Sequence, residues 1–232
     1  MHRFEDRLTQ VLQRIRDAAA AVGRNADDIT LLGVSKKQNA EKIDAFYRAG
    51  LRHIGENYLQ EALEKQQQLS LPEAQWHFIG PIQSNKTRAI AESFAWVHTV
   101  DRIKIAERLN AQRPEHLWPM NICLQVNIDN EASKSGVAVA DLKALADTVK
   151  NLPNLRLRGL MVIPRPRQEG GEPRASFALT RRKLAELQAE SGLCCDTLSM
   201  GMSDDLEEAI AEGATIVRIG SALFGERDKN AN

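Results

Sequence analysis

The first segment of the chain carries apolar residues at helical spacing. Between residues 4 and 22 they recur every three or four positions, with arginines and acids between them, which is typical of an amphipathic helix. Gly23 and Asn25 then indicate its end. We therefore predict an N-terminal helix within residues 1–28.

From Ile29 onward the pattern changes to short apolar runs rich in β-branched residues, separated by charged stretches with helical spacing. Each run has the length of a buried strand, and each stretch between runs has the length of a crossover helix. The runs cover residues 29–35, 51–55, 76–80, 95–100, 121–128, 157–163, 196–201 and 215–220.

Repeated strand and helix units predict parallel strands joined by crossover helices. Eight such units favour an α/β fold with a single (β/α)₈ TIM barrel over residues 29–225, in one domain that spans 1–232. A doubly wound open sheet is the alternative, but it normally has fewer strands and would leave two runs unexplained. The Pro- and Gly-rich segment 164–173 is expected to form a long loop after the sixth of these strands.

Charge and cysteine usage narrow the class of protein. Lysines plus arginines number 31 and aspartates plus glutamates 31, so the net charge of zero disfavours nucleic-acid binding. The chain lacks a run of about 20 apolar residues and its beginning lacks the build of a secretory signal. Cys123, Cys194 and Cys195 show neither a disulfide framework nor a metal-ligand spacing. We expect a cytoplasmic protein without a metal or a membrane partner.

Lys36 is the first candidate for chemistry, because a parallel barrel places its active site at the carboxyl ends of the strands. It follows the apolar run 31–34, so its stem would be partly desolvated, a setting that lowers the pKa of a lysine toward a nucleophilic amine. A Schiff-base lysine is one interpretation. A lysine that extends from a strand end into solvent is the other, and it is the one expected for Lys37.

Small residues at the ends of the seventh and eighth runs predict a phosphate site. Ser199, Gly201 and Ser203 precede an acidic, helix-favouring stretch, and Gly220 and Ser221 lie where the last run ends. Barrels frequently bind phosphate with the loops after strands seven and eight, through free amides and hydroxyls. Turn and cap chemistry is the alternative for each pair alone, but the two together favour phosphate.

Four further polar positions are ambiguous on their own. Arg218 is expected to face the barrel interior, where its charge needs a carboxylate or a ligand acceptor. His77 alone is better interpreted as a hydrogen-bonded core histidine than as a catalyst. Glu56 and Asn57 could cap the helix that starts near Tyr58.

A lysine at one strand end and a phosphate site opposite suggest a phosphorylated aldehyde held as an imine. Pyridoxal 5'-phosphate (PLP) combines these two groups, and Arg218 would then face its ring nitrogen.

The same residues lie in motifs that resemble a known family. The chain is similar to the pyridoxal phosphate homeostasis proteins, the bacterial YggS-like group, which are relatives of the N-terminal barrel of alanine racemase. The resemblance covers residues 29–225. Its motifs are VSKK around Lys36, HIGENYLQEA (53–62), WHFIGPIQSNK (76–86), QVNIDNEASKSG (125–136), RGLMVIP (158–164) and the long segment 198–225.

The resemblance implies a cytoplasmic monomer that carries PLP covalently on Lys36, without an established catalytic reaction, and that helps to balance vitamin B6 and amino-acid pools. It implies phosphate contacts for Ser199, Gly201, Ser203, Gly220 and Ser221. Arg218 would meet the pyridine nitrogen, and Asn57 and His77 would lie near the ring. Apoenzymes that accept PLP are implied as transient partners.

Two positions depart from the usual family pattern and one matches it. Lys37 and Asn39 replace the commoner threonine and proline after the lysine, which affects the shape and charge of the first loop. Lys134 matches a family lysine on the loop after strand five that could influence cofactor exchange.

Two other functions remain open from the sequence. A PLP-dependent racemase needs a second acid-base group on the face opposite Lys36, which alanine racemases supply with a tyrosine from another domain. The tyrosines here are Tyr47, predicted mid-helix, and Tyr58, predicted at a helix start. A barrel enzyme that acts on a sugar phosphate through Lys36 is the third hypothesis.

Overall fold

The strands of this protein pair into a closed parallel ring. The computed structural model describes residues 2–131 and 135–225. The strands are β1 (Thr30–Val34), β2 (His53–Glu56), β3 (Gln75–Phe78), β4 (Trp96–Val100), β5 (Met120–Asn127), β6 (Val137–Ala138), β7 (Leu155–Met161), β8 (Thr197–Ser199) and β9 (Ile216–Ile219). Pairing of β1 with β9 and of β4 with β5 closes a ring of eight strands, while β6 pairs with β5 outside it.

Helices follow the strands and cover the outside of the ring. They are α1 (His2–Ala21), α2 (Ala40–Arg48), α3 (Leu59–Gln68), α4 (Thr87–Ser93), α5 (Ile103–Gln112), α6 (Leu142–Val149), α7 (Pro173–Ser191), α8 (Leu206–Ala211) and α9 (Ser221–Phe224). None of these helices is long and apolar enough to cross a bilayer.

The predicted (β/α)₈ barrel with an N-terminal helix is confirmed. Each of the eight predicted runs overlaps one strand of the ring, with ends that differ by at most two residues where the strand extends beyond the run, and the open-sheet alternative is wrong because the ring closes. β6 was not predicted, since two residues are too few for a periodic pattern. The loop expected at 164–173 is present, apart from a short 3₁₀ turn at Arg167–Glu169 and the start of α7 at Pro173.

Side chains of the strands alternate between two apolar layers, as the pleat requires. Leu32 and Val34 of β1 pack inside the ring with Met161 and Ile216. Leu31 instead joins the larger layer between the ring and its helices. Lys36 therefore follows β1 at a position that continues the inward series.

The amphipathic α1 packs against the ring's last helices and shares their core. Its buried face includes Leu8 and Ile15, and it contacts α8 and α9. Phe46 of α2 joins this contact through edge-on rings, with centroids 5.3 Å from Phe4 and 4.8 Å from Phe224. The apolar face that the 3.6-residue period creates on α1 therefore packs against α8 and α9.

Candidate functional site

A cavity of about 270 Å³ lies at the carboxyl ends of the strands. Lys36 lines it directly after β1, and Ser203, Gly220 and Ser221 line it from the loops after β8 and β9. The remaining lining residues are Val34, Asn57, Ile79, Met161, Ile163, Met202, Asp204 and Arg218. The structure thus brings together six residues that the sequence singled out: Lys36, Asn57, Ser203, Arg218, Gly220 and Ser221.

Backbone amides at this cavity are available as donors. The N–H groups of Ser203, Asp204 and Gly220 make no hydrogen bond within the described part of the chain. The side-chain hydroxyls of Ser203 and Ser221 lie on the same lining. Amide and hydroxyl donors without protein acceptors form a site suited to an anion with several oxygens.

Gly201 lies behind this lining and shapes the loop that carries Ser203. Its φ of +93° is in the left-handed region, and a Cβ at this position would lie 2.5 Å from the Cβ of Ala209 in α8. Its carbonyl oxygen accepts a 2.9 Å hydrogen bond from the N–H of Arg218. Only glycine combines this backbone turn with the close approach to α8.

Arg218 is a buried cation whose partners are neutral. Nη1 donates to the carbonyl oxygen of Ser199 at 2.6 Å and to its Oγ at 3.0 Å, and Nη2 donates to the carbonyl oxygen of Val162 at 2.9 Å. Nε makes no hydrogen bond within residues 2–131 and 135–225. Burial lowers the pKa of Arg218 to about 10, so the guanidinium stays charged at neutral pH. Its Nε–H and the second N–H of Nη2 are the donors left for a ligand.

His77 and Ser199 lie in the barrel interior, outside the lining of the cavity. The ring of His77 lies between those of His53 and His98, with N–N distances of 3.0 and 2.9 Å. The Ser199 hydroxyl lies 2.8 Å from Nδ1 of His98. The structure therefore does not bring the Ser199 hydroxyl to the anion site, and His77 takes the place of a hydrogen-bonded core histidine.

A buried ion cluster anchors the backbone on both sides of Lys36. Nζ of Lys65 donates to the carbonyl oxygen of Ser35 at 2.7 Å and to carboxylate oxygens of Glu56 and Glu61 at 2.6 Å each. The Ser35 hydroxyl donates to Glu56 and the Lys37 N–H donates to Glu61, both at 2.5 Å. Hydrogen bonds to this cluster thus hold the backbone of Ser35 and of Lys37, the residues on either side of Lys36.

Glu56 does not cap α3, so that expectation is wrong. The N-cap residue is Tyr58, which makes no side-chain cap bond, and the Glu56 carboxylate is buried against Lys65. Burial raises the pKa of Glu56, although Lys65 and the Ser35 hydroxyl oppose the shift.

The two unusual residues after Lys36 have local structural roles. Lys37 is exposed, with a φ of +59°, a conformation uncommon outside glycine. Asn39 caps α2, and its side chain accepts a 2.9 Å hydrogen bond from the N–H of Lys42. Lys134 lies outside the described residues.

A second cavity of about 310 Å³ adjoins the first and shares Asn57, Ile79 and Ile163 with it. Its polar lining includes Thr99, Gln125 and Asn127. The Oδ1 atom of Asn57 is buried without a hydrogen-bond partner, so this acceptor is left for a donor group on a ligand.

Lys65 and His98 were missed from the sequence, although each carries a signal. Lys65 lies one helical turn from the buried Ala62 and from the partly buried Glu61, so it belongs to the inward face of α3. His98 shares its strand face with Trp96. A charged or imidazole side chain on a buried face indicates a polar partner elsewhere in the fold.

The whole chain is similar to proteins of one family. The family model described as "Alanine racemase, N-terminal domain" matches residues 10–228. A Pseudomonas aeruginosa protein named pyridoxal phosphate homeostasis protein is 58% identical over 231 residues, covering 100% of this chain and 99% of that one. A protein of the same name from Escherichia coli K12 is 47% identical over 238 residues, covering 98% of each.

Solved structures show the same likeness. PipY of Synechococcus elongatus, solved with PLP bound, superposes with a TM-score of 0.79 at 40% identity and covers 91% of this chain and 100% of that one. Alanine racemase from Corynebacterium glutamicum superposes with a TM-score of 0.71 at 15% identity, covering 94% of this chain and 60% of that one. The second likeness shows the fold alone.

Proposed function

Since the chain belongs to the pyridoxal phosphate homeostasis proteins, within the family of the alanine racemase N-terminal domain, we propose that it holds PLP at the barrel mouth as a Schiff base on Lys36. Its role is then to keep PLP and amino-acid pools in balance. The observation that carries the proposal is that Lys36, Arg218 and three residues with unpartnered backbone amides line one cavity.

The donors at the cavity fit the groups of PLP. The cofactor supplies an aldehyde that condenses with an amine, with loss of water, and a ring that can withdraw electrons. Lys36 is the amine on the lining, and the Arg218 Nε–H donates to the pyridine nitrogen. Because Arg218 stays protonated, it leaves that nitrogen unprotonated. Asn57 offers the buried Oδ1 acceptor beside the ring.

The phosphate is held by the loops after β8 and β9. The amides of Ser203, Asp204 and Gly220 and the hydroxyls of Ser203 and Ser221 provide the donors. Gly201 does not contact the phosphate, but its backbone conformation sets the path of the loop that does. Ser199 accepts hydrogen bonds from Arg218 and so helps to position that side chain. This assignment replaces the direct phosphate contact that the sequence suggested for Ser199.

Binding without rapid turnover is favoured over racemisation by the positions of the tyrosines. The ring of Tyr47 lies under the guanidinium of Arg52 on the outer layer, and its hydroxyl accepts a hydrogen bond from the N–H of Glu73. Tyr58 is half exposed and does not line the cavity. A racemase without a positioned second acid-base group loses roughly 10²- to 10⁴-fold in rate.

The protein is further proposed to act as a one-domain cytoplasmic monomer that passes PLP transiently to apoenzymes. One core shared by α1 and the ring supports a single domain. Three unpaired cysteines, two of them buried, suit a reducing compartment.

Incubation of the PLP-loaded protein with each L-amino acid in deuterated water tests the assignment. We expect α-proton exchange and formation of D-isomer to stay far below about 1 per second, an ordinary enzymatic rate. Multiple-turnover racemisation at that rate would establish the racemase instead. A colourless protein that does not bind PLP but forms a borohydride-trapped adduct with a sugar phosphate would favour the third hypothesis.

A further inference from the structure

Four hydrogen-bond contacts in series cross the interior of the barrel. Nδ1 of His53 lies 3.0 Å from Nε2 of His77, and Nδ1 of His77 lies 2.9 Å from Nε2 of His98. Nδ1 of His98 lies 2.8 Å from Oγ of Ser199, which accepts a 3.0 Å hydrogen bond from Nη1 of Arg218. We call these five residues the imidazole chain.

The imidazole chain joins opposite sides of the ring. Its histidines lie on the neighbouring strands β2, β3 and β4, whereas Ser199 and Arg218 lie on β8 and β9. All members except the half-buried His53 are buried. Trp96 stacks on His77 with ring centroids 5.3 Å apart and an interplanar angle of 10°, which fixes the plane of the central ring.

Arg218, at one end of the imidazole chain, determines which atom donates and which accepts in each of its hydrogen bonds. Arg218 is always a donor, so Ser199 Oγ accepts from it. The only other contact of Oγ among the described residues is Nδ1 of His98. If that nitrogen also donated, the hydroxyl proton would be buried without an acceptor, an unfavourable state.

The Ser199 hydroxyl therefore donates to Nδ1 of His98, which places the His98 proton on Nε2. That proton is donated to Nδ1 of His77, whose own proton is then on Nε2 and is donated to Nδ1 of His53. Burial keeps these rings neutral, since it lowers the pKa of His98 to about 3 and that of His77 well below the usual value. The result is one direction of donation from Arg218 to His53.

We propose that His53, His77, His98 and Ser199 are positioning residues that, through this single direction of donation, hold the Arg218 guanidinium with its Nε–H toward the cofactor's pyridine nitrogen. The part that concerns the cofactor rests on the proposed function. The direction of donation is a property of the chain alone and is tested without PLP.

Side-chain ¹⁵N NMR of the full-length protein, free of cofactor, tests the direction. We expect His77 and His98 to show a protonated Nε2 and an unprotonated Nδ1 at neutral pH, with assignments from His→Gln variants. In Ser199→Ala the fixed donor to His98 is lost, so both rings should show a mixture of tautomers. Protonated Nδ1 in the parent protein, or unchanged tautomers in Ser199→Ala, would overturn the proposal.

The positioning role is tested with PLP that carries ¹⁵N in its ring. We expect His98→Gln and Ser199→Ala to shift the pyridine resonance toward that of a nitrogen without a hydrogen bond and to weaken PLP retention about 10-fold. The exposed His116→Gln is the matched control and should change neither. An unshifted resonance in both variants would overturn the positioning role. Failure of the parent protein to bind PLP would instead overturn the proposed function and leave the tautomer result standing.

Discussion

The ammonium of Lys65 lies 2.7 Å from the carbonyl oxygen of Ser35, the residue that precedes Lys36. The same ammonium contacts Glu61, whose carboxylate accepts the N–H of Lys37, the residue that follows. A lysine on α3 therefore fixes the backbone on both sides of Lys36. This arrangement limits the movement of Lys36 relative to the anion site across the cavity.

Removing Lys65 should destabilise the fold and loosen the loop that presents Lys36. The Lys65 side chain is 6% exposed and that of Glu56 is fully buried, so Lys65→Met leaves an unpaired buried carboxylate and should cost about 3–5 kcal/mol of unfolding free energy. Denaturant unfolding measures the cost. Adding Glu56→Gln should recover part of it, and a double variant no more stable than the single one would contradict this account.

Removing the Ser221 hydroxyl should weaken PLP binding without affecting the fold. A hydrogen bond to a charged group is worth about 1–3 kcal/mol, so Ser221→Ala should lose that much binding free energy. Equilibrium dialysis of PLP measures the loss. The exposed Ser70→Ala is the control, and equal affinity for both variants would place the phosphate elsewhere.

Alanine at Gly201 should cost more than alanine at another glycine with positive φ. At Gly23, with a φ of +67°, a Cβ meets nothing within 4 Å, so alanine costs about 1 kcal/mol of backbone strain. At Gly201 the Cβ would also approach Ala209 to 2.5 Å, which adds roughly 1–3 kcal/mol. Thermal unfolding of the two variants compares them, and equal losses would show that the contact with α8 is unimportant.

The buried histidines should make the protein sensitive to acid. The pKa of His98 is lowered from 6.5 to about 3, chiefly by burial, with smaller contributions from the charges of Arg218 and His53. Between these values the unfolded state binds the proton more readily, so the unfolding free energy falls as pH falls through that window. The slope from this group is at most about 1.4 kcal/mol per pH unit.

Unfolding of the parent protein, His98→Gln and the exposed His116→Gln at a series of pH values measures this contribution. We expect a shallower decline below pH 6 for His98→Gln and the parent's slope for His116→Gln. Parallel curves for all three proteins would show that the pKa of His98 does not differ between the folded and unfolded states.

The strand order was predictable from sequence because each buried strand is a short apolar run of its own. Whether a polar side chain lies in the barrel interior or at the cavity was less predictable. Ser199 was expected to contact the phosphate from the end of its strand. It is the last residue of β8, where it pairs with Ile216 of β9 and its hydroxyl lies in the barrel interior. A shift of one residue along a strand changes the face on which a side chain lies.

Contacts between distant parts of the chain could not be predicted from the pattern. Lys65 is placed beside Ser35 only by the packing of α3 on the ring, and His98 meets Ser199 from the opposite side of the barrel. Lys36, Arg218 and the small residues after the last strands were predictable, because the carboxyl ends of parallel strands meet at one mouth.

The central claim is tested most directly by locating the covalent adduct. The PLP-loaded protein is reduced with borohydride, digested and mapped by mass spectrometry, in parallel with Lys36→Ala and with the neighbouring, exposed Lys37→Ala. We expect the reduced adduct on Lys36 in the parent protein and in Lys37→Ala. In Lys36→Ala both the adduct and the visible absorption band should be lost. An adduct that persists in full on another lysine in Lys36→Ala would contradict the account.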